Sequence, residues 1–165
     1  MRTTVLSYYG LLETGTKSLQ SVFLLLVRLY WGWQFAQTGW GKLHNMDKVT
    51  GFFTSLGLPL PGPTAHFIAG LEFCGGLLLI LGLASRLIAL PLTLNMLGAY
   101  IVADRQALLS VIADPDKFTA AASFTFLIAS IIVLLFGPGK LSLDAWIEAT
   151  LPTNTGRAAA LANAE

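Results

Sequence analysis

Two ionisable residues and one amide stand inside stretches that are otherwise almost wholly apolar: Arg28, Glu72 and Asn95. A charge at the centre of a bilayer costs roughly 2.5–3.5 kcal/mol on insertion scales, so each should have a partner. A carboxylate and a guanidinium held together out of water can bind a polar ligand, carry a proton, or lock two helices in register. Arg28 begins a stripe with Gly32, Phe35, Gly39 and Lys42, and spacings of four and three place these on one helix face. Glu72, Gly75, Gly76, Leu79 and Gly82 form a matching stripe, and glycines on both faces let two backbones come close. Counting helical rise from the ends of the apolar stretches puts Arg28 ~12 Å, Asn95 ~13 Å and Glu72 ~18 Å from the same membrane side. A long arginine side chain covers a gap of roughly 6 Å. The expected polar cluster is therefore Arg28, Glu72 and Asn95, with Gln37 nearer the opposite side. Both the structural and the ligand-handling roles stay open for it.

Other candidates are weaker. Lys42 and His66 lie toward one membrane surface, where they could hold a quinone head group or an anion. His44 and His66 could also ligate a haem, although such histidines are more often interfacial hydrogen-bonding groups. No metal site is expected. The single cysteine, Cys74, excludes a CxxC redox pair within the chain and reads as a small buried apolar residue. Trp40 and Trp146 suit interfacial anchors at opposite surfaces.

These residues need long apolar helices to position them. Of 165 residues, 55% are hydrophobic and 12% charged, against about a quarter charged in soluble domains. Four stretches, near Leu19–Leu43, Thr64–Leu83, Leu87–Ala103 and Phe118–Phe136, approach the ~20 residues a membrane crossing requires. The fold class that follows is all-α: an integral membrane four-helix bundle with short amphipathic interfacial segments. Residues 1–18 form an N-terminal segment without the pattern of a cleaved signal, in which Val5–Leu12 could lie along the interface. Residues 19–147 form the membrane domain, and 148–165 a tail expected to be disordered.

The connections carry turn chemistry. Phe52–Leu56 reads as a short interfacial helix, followed by three prolines in Pro59–Pro63 that set a rigid start to the second span. Ala84-Ser85-Arg86 is short enough to force a tight hairpin. Pro91 should kink the third span. Asp104–Lys117 suits one surface helix ending before Pro115. Gly137–Asp144 breaks the last span, and Ala145–Leu151 should lie on the membrane surface.

Topology is weakly encoded. Arg2, Lys17, Arg86, Lys140 and Arg157 fall on the side of the termini, and Lys42, Lys48, Arg105 and Lys117 on the other, which favours cytoplasmic termini by one charge. The net charge of +1, with no basic cluster, gives no footprint for nucleic acid.

Together, the stripe from Arg28 to Leu43, Gly57-Leu58-Pro59 before a span, the glycine-rich run Glu72–Gly82, and the closing GPGKLSLD (Gly137 to Asp144) resemble the DoxX family of small bacterial membrane proteins. The resemblance covers roughly residues 20–147. It implies a four-helix bundle in the bacterial inner membrane. It also implies association with redox systems, such as a thiosulfate:quinone oxidoreductase or thiol-oxidant defence with superoxide dismutase and a sulfurtransferase. The family pattern falls on Arg28, Gly32, Gly39, Lys42, Glu72, Gly75, Gly76, Gly82, Ser142 and Asp144. The chain departs from it near Ala99–Asp104 and Thr119–Ser123, where members often carry a histidine and an acidic or polar residue.

The function expected is a membrane subunit or anchor of a quinone- or thiol/sulfur-linked redox complex, an oxidoreductase subunit rather than a stand-alone enzyme. A quinone in the bundle is the one cofactor the residues suggest, and the expected partners are the lipid bilayer, a redox subunit or a second copy of the chain. Two alternatives stand beside this reading. One is a non-enzymatic helper that binds membrane proteins or lipids through its glycine faces. The other is an oligomeric transporter of small solutes or protons, with Glu72 as the titrating group.

Overall fold

A computed structural model describes residues 2–151, with side chains at Thr16 and from Leu19 onward. Its described residues are helical throughout: α1 (Arg2–Leu43), α2 (Met46–Ser55), α3 (Pro61–Leu81), α4 (Ser85–Val102), α5 (Arg105–Leu109), α6 (Pro115–Ala120), α7 (Ala122–Phe136) and α8 (Leu143–Thr150). The four longest, α1, α3, α4 and α7, form the bundle. α1 lies along α3 and α4 along α7, and these two pairs are joined chiefly through α3 and α4. The core runs through Phe35, Leu79, Leu92, Met96, Tyr100, Leu127 and Val133.

α3 and α4 are each long and apolar enough to cross a bilayer. Their outward residues, among them Phe67, Leu87 and Leu94, are large, apolar and exposed, as a lipid-facing surface requires. α7 has 15 residues, about 22 Å, which is short of the hydrocarbon thickness. Extended backbone at Ala121 separates it from α6, so Phe118 precedes the last long helix instead of opening it.

The glycine stripes explain why α1 and α3 pack so closely. A Cβ on Gly76 would lie 2.4 Å from the Ala36 nitrogen, and one on Gly39 would lie 2.3 Å from the Phe73 nitrogen. Neither neighbour can give way, because both are backbone. Gly32 meets Gly76 and Ile80 across the same seam. Gly75 differs from the expectation. One residue from Gly76 is a 100° turn away, and it faces Ile88 and Leu92 of α4.

Several connections differ from the sequence reading for local reasons. The interfacial helix after α1 starts six residues earlier, at Met46, and buries Phe53. Asp104–Lys117 makes two short helices instead of one. Pro115 opens the second, with the Asp114 carboxylate accepting from the Lys117 amide at 3.1 Å, since Asp-Pro is a helix-start signal. Pro91 sits inside α4 without ending it. Cys74 is exposed on the outer face of α3, not buried. α1 is continuous from Arg2. The interfacial reading of Val5–Leu12 concerns side chains outside the described residues. The tail expected to be disordered from 148 is helical through Thr150, where α8 ends, and residues 152–165 lie outside the described residues.

Candidate functional site

α3 carries Glu72 eleven residues from its start, and the carboxylate is 2% exposed. Lys42, in the last turn of α1, reaches it with Nζ at 2.5 Å from Oε2. Asn95 of α4 donates from Nδ2 to Oε1 at 3.0 Å. Both carboxylate oxygens are thus engaged, by a cation from one helix and an amide from another. The charge is neutralised locally, which makes its burial tolerable. Lys42 keeps 32% of its side-chain surface, so the lysine is the open member of the triad.

The triad forms one wall of a cavity of about 510 Å³. α2 covers it with Lys48, Val49, Phe52 and Phe53, while Phe126 of α7 and Gly98 of α4 line its apolar side. A Cβ on Gly98 would meet nothing within 4 Å, so that wall is open space. Ser123 at the start of α7 also borders the cavity and donates to the Asp104 carboxylate at 2.5 Å. The result is a largely apolar chamber with a charged, hydrogen-bonding group at one wall.

Arg28 is not part of this cluster, and its expected pairing with Glu72 does not form. The α1–α3 seam sets Arg28 beside Gly82, where Nη1 occupies the place a Cβ would take. Gly82 lies ten residues, about 15 Å, beyond Glu72 along α3. The depth count failed because α1 extends past the bundle, so the edge of the apolar stretch did not mark the membrane level of Arg28. Instead Arg28 is 1% exposed beneath the closing GPGKLSLD loop and donates to the Leu141 carbonyl. Asp144 from the same loop accepts from the Ala84 and Ser85 amides at 2.7 and 2.9 Å, capping α4, and its own amide donates to the Gly82 carbonyl. Arg28 Nε, Arg28 Nη1 and Ser85 Oγ are buried there without protein partners.

The remaining candidates separate in the same way. Gln37 is on an exposed face of α1. His66 is exposed, and its Nδ1 is engaged with the Gly62 carbonyl at 2.9 Å, so it does not join Lys42. His44 is likewise engaged with the Trp40 carbonyl at 2.9 Å, and no group of metal-ligating residues occurs among the described residues. Lys48, Phe126 and Ser123 were not singled out in the sequence. Each lies on a different helix from Glu72, and no spacing rule connects them.

A family model, DoxX, matches residues 23–105. The chain is 32% identical to "Putative oxidoreductase CatD" of Bacillus subtilis, over 74% of this chain and 85% of that protein. It is 29% identical to "Uncharacterized membrane protein Rv3486" of Mycobacterium tuberculosis, over 73% of this chain and 78% of that protein. No solved structure gives a significant match. With the closely packed glycine seam, the outward apolar surfaces and a match over half its length, the chain belongs to the DoxX family and is a helical membrane protein.

Proposed function

We propose that the chain is a membrane subunit of a redox complex and that its cavity binds a quinone. One observation carries this reading: an apolar chamber of about 510 Å³ ends at a buried carboxylate held by Lys42 and Asn95. A quinone has the same division, a flat head with carbonyl acceptors and a hydrocarbon tail. Lys42 is placed to donate to a carbonyl of the head, while Glu72 holds the ammonium in position and can take up or return its proton. Asn95 keeps the carboxylate from turning away. Phe126 and Phe52 offer faces for the ring and tail. Electrons come from a partner's cofactor, because one cysteine cannot form a dithiol couple within the chain. The printed name of the Bacillus subtilis relative agrees with redox chemistry in the family. Under this reading the protein crosses the bacterial inner membrane four times, with both termini in the cytoplasm.

A helper role would need other surfaces, since Gly32, Gly39 and Gly76 are used within the bundle. The test is mass spectrometry of lipid extracts from gently purified protein. Bound quinone is expected in the wild type. Gly98→Phe, which puts a ring into the open space of the chamber, should remove it. A wild-type protein free of quinone, or a variant that retains it in full, would overturn the proposal.

A further inference from the structure

At the end of the bundle away from the triad lies a second cleft, of about 770 Å³, between the α3–α4 turn, the end of α7 and α8. Leu87 and Phe136 line it and are 75% and 58% exposed, so one side opens onto the apolar surface of the bundle. Small and polar residues, with Gln20, Ser21 and Leu24 of α1, make up much of the remaining wall, and four charged groups stand among them. Arg86, in the first turn of α4, and Lys140, in the closing loop, supply two cations. Asp144 and Glu148 supply two carboxylates, and their spacing of four puts both on the same face of α8.

These four groups do not neutralise one another: among the described residues no ion pair joins them. The Arg86 guanidinium lies against Gly137, with Nε 3.2 Å from where a Cβ would stand, and only Nη2 is engaged, with the Leu135 carbonyl at 3.5 Å. Nε and Nη1 are left for another acceptor. Asp144 spends one lone pair per oxygen on the α4 cap, and Glu148 is exposed. Ser85 Oγ, fully buried in the cleft wall, has no partner. Trp146 of α8, 65% exposed, is suited to the membrane–water boundary, which places the cleft at headgroup level.

We propose that this cleft binds a zwitterionic phospholipid whose headgroup carries a phosphate and a primary ammonium, as phosphoethanolamine does. Arg86 and Lys140 take the phosphate, and Glu148, with Asp144, takes the ammonium. The acyl chains run down over Leu87 and Phe136. The balance of charge selects this chemistry. A purely anionic headgroup would leave Glu148 facing a phosphate, and a choline headgroup has no N–H to donate. The proposal is independent of the quinone reading.

Native mass spectrometry of the delipidated protein tests it, using ethanolamine, glycerol and choline phospholipids with identical chains, and glycerophosphoethanolamine without chains. Two charge-assisted hydrogen bonds to the ammonium should favour the ethanolamine lipid by about tenfold or more over the other two lipids. Glu148→Gln should reduce that preference to near unity. Lys140→Gln, at an exposed site, should weaken all three lipids together. Glycerophosphoethanolamine should not be retained. Equal retention of the three lipids, a preference for the glycerol lipid, an unaffected Glu148→Gln variant, or tight binding of the chainless compound would each overturn the proposal.

Discussion

Glu72 is a buried charge that two neighbours hold in the bundle. Lys42 comes from the end of α1 and Asn95 from the middle of α4. Removing one partner of a buried pair costs more than removing both, since the survivor keeps its desolvation penalty. Lys42→Met should therefore destabilise the protein by about 3 kcal/mol, and the double change Lys42→Met with Glu72→Leu by clearly less. Thermal unfolding in detergent checks this, and additive losses would show that the pair is not coupled. Glu72 was visible in the sequence as a charge in an apolar run, and Arg28 was its expected partner. That Lys42 meets the carboxylate instead was not legible. Arg28 and Lys42 lie on one face of α1, and only the axial shift between α1 and α3 chooses between them.

At the scale of elements, that shift is set by glycine. Gly39 and Gly76 touch backbone across the seam, so no side chain can be inserted without moving a helix. Gly76→Leu should separate α1 from α3, loosen the Lys42–Glu72 contact and lower the unfolding temperature. The same change at Gly70, where a Cβ has open space, should be nearly silent. Comparing the two variants by thermal unfolding separates seam packing from a general effect of helix glycine. The turn between α3 and α4 depends on Gly82 in another way. Its φ is +67°, and the Arg28 guanidinium fills the space of its missing side chain. The helices and their glycine faces were legible because period and composition are local properties. The division of labour between Gly75 and Gly76 was not, because it depends on where α4 returns.

For the whole molecule, the two polar assemblies lie at different levels of one bundle. The triad and its cavity face the side of α2, and Arg28 with the closing loop above it faces the side of α8. If the four long helices all cross, α2 and α8 lie on opposite membrane surfaces. Single cysteines at Asp47 and Ala149, in a Cys74→Ser background, should then react with an impermeant maleimide from opposite sides of intact cells or spheroplasts. Labelling of both from one side would refute the four-span topology.

The sequence by itself determined the class of the protein, its four long helices, the glycine-lined faces and its membership of the DoxX pattern. These follow from composition, from a period of 3.6 and from short ordered motifs, all of which act over a few turns of chain. Only the tertiary structure decided the partner of each charge. Arg28 donates to a carbonyl 113 residues away, and Glu72 pairs with Lys42, 30 residues away. Such partners are fixed by how far one helix slides along another and by where the closing loop lands. Those distances come from backbone contact at a few glycines, and counting residues from the ends of apolar stretches could not supply them.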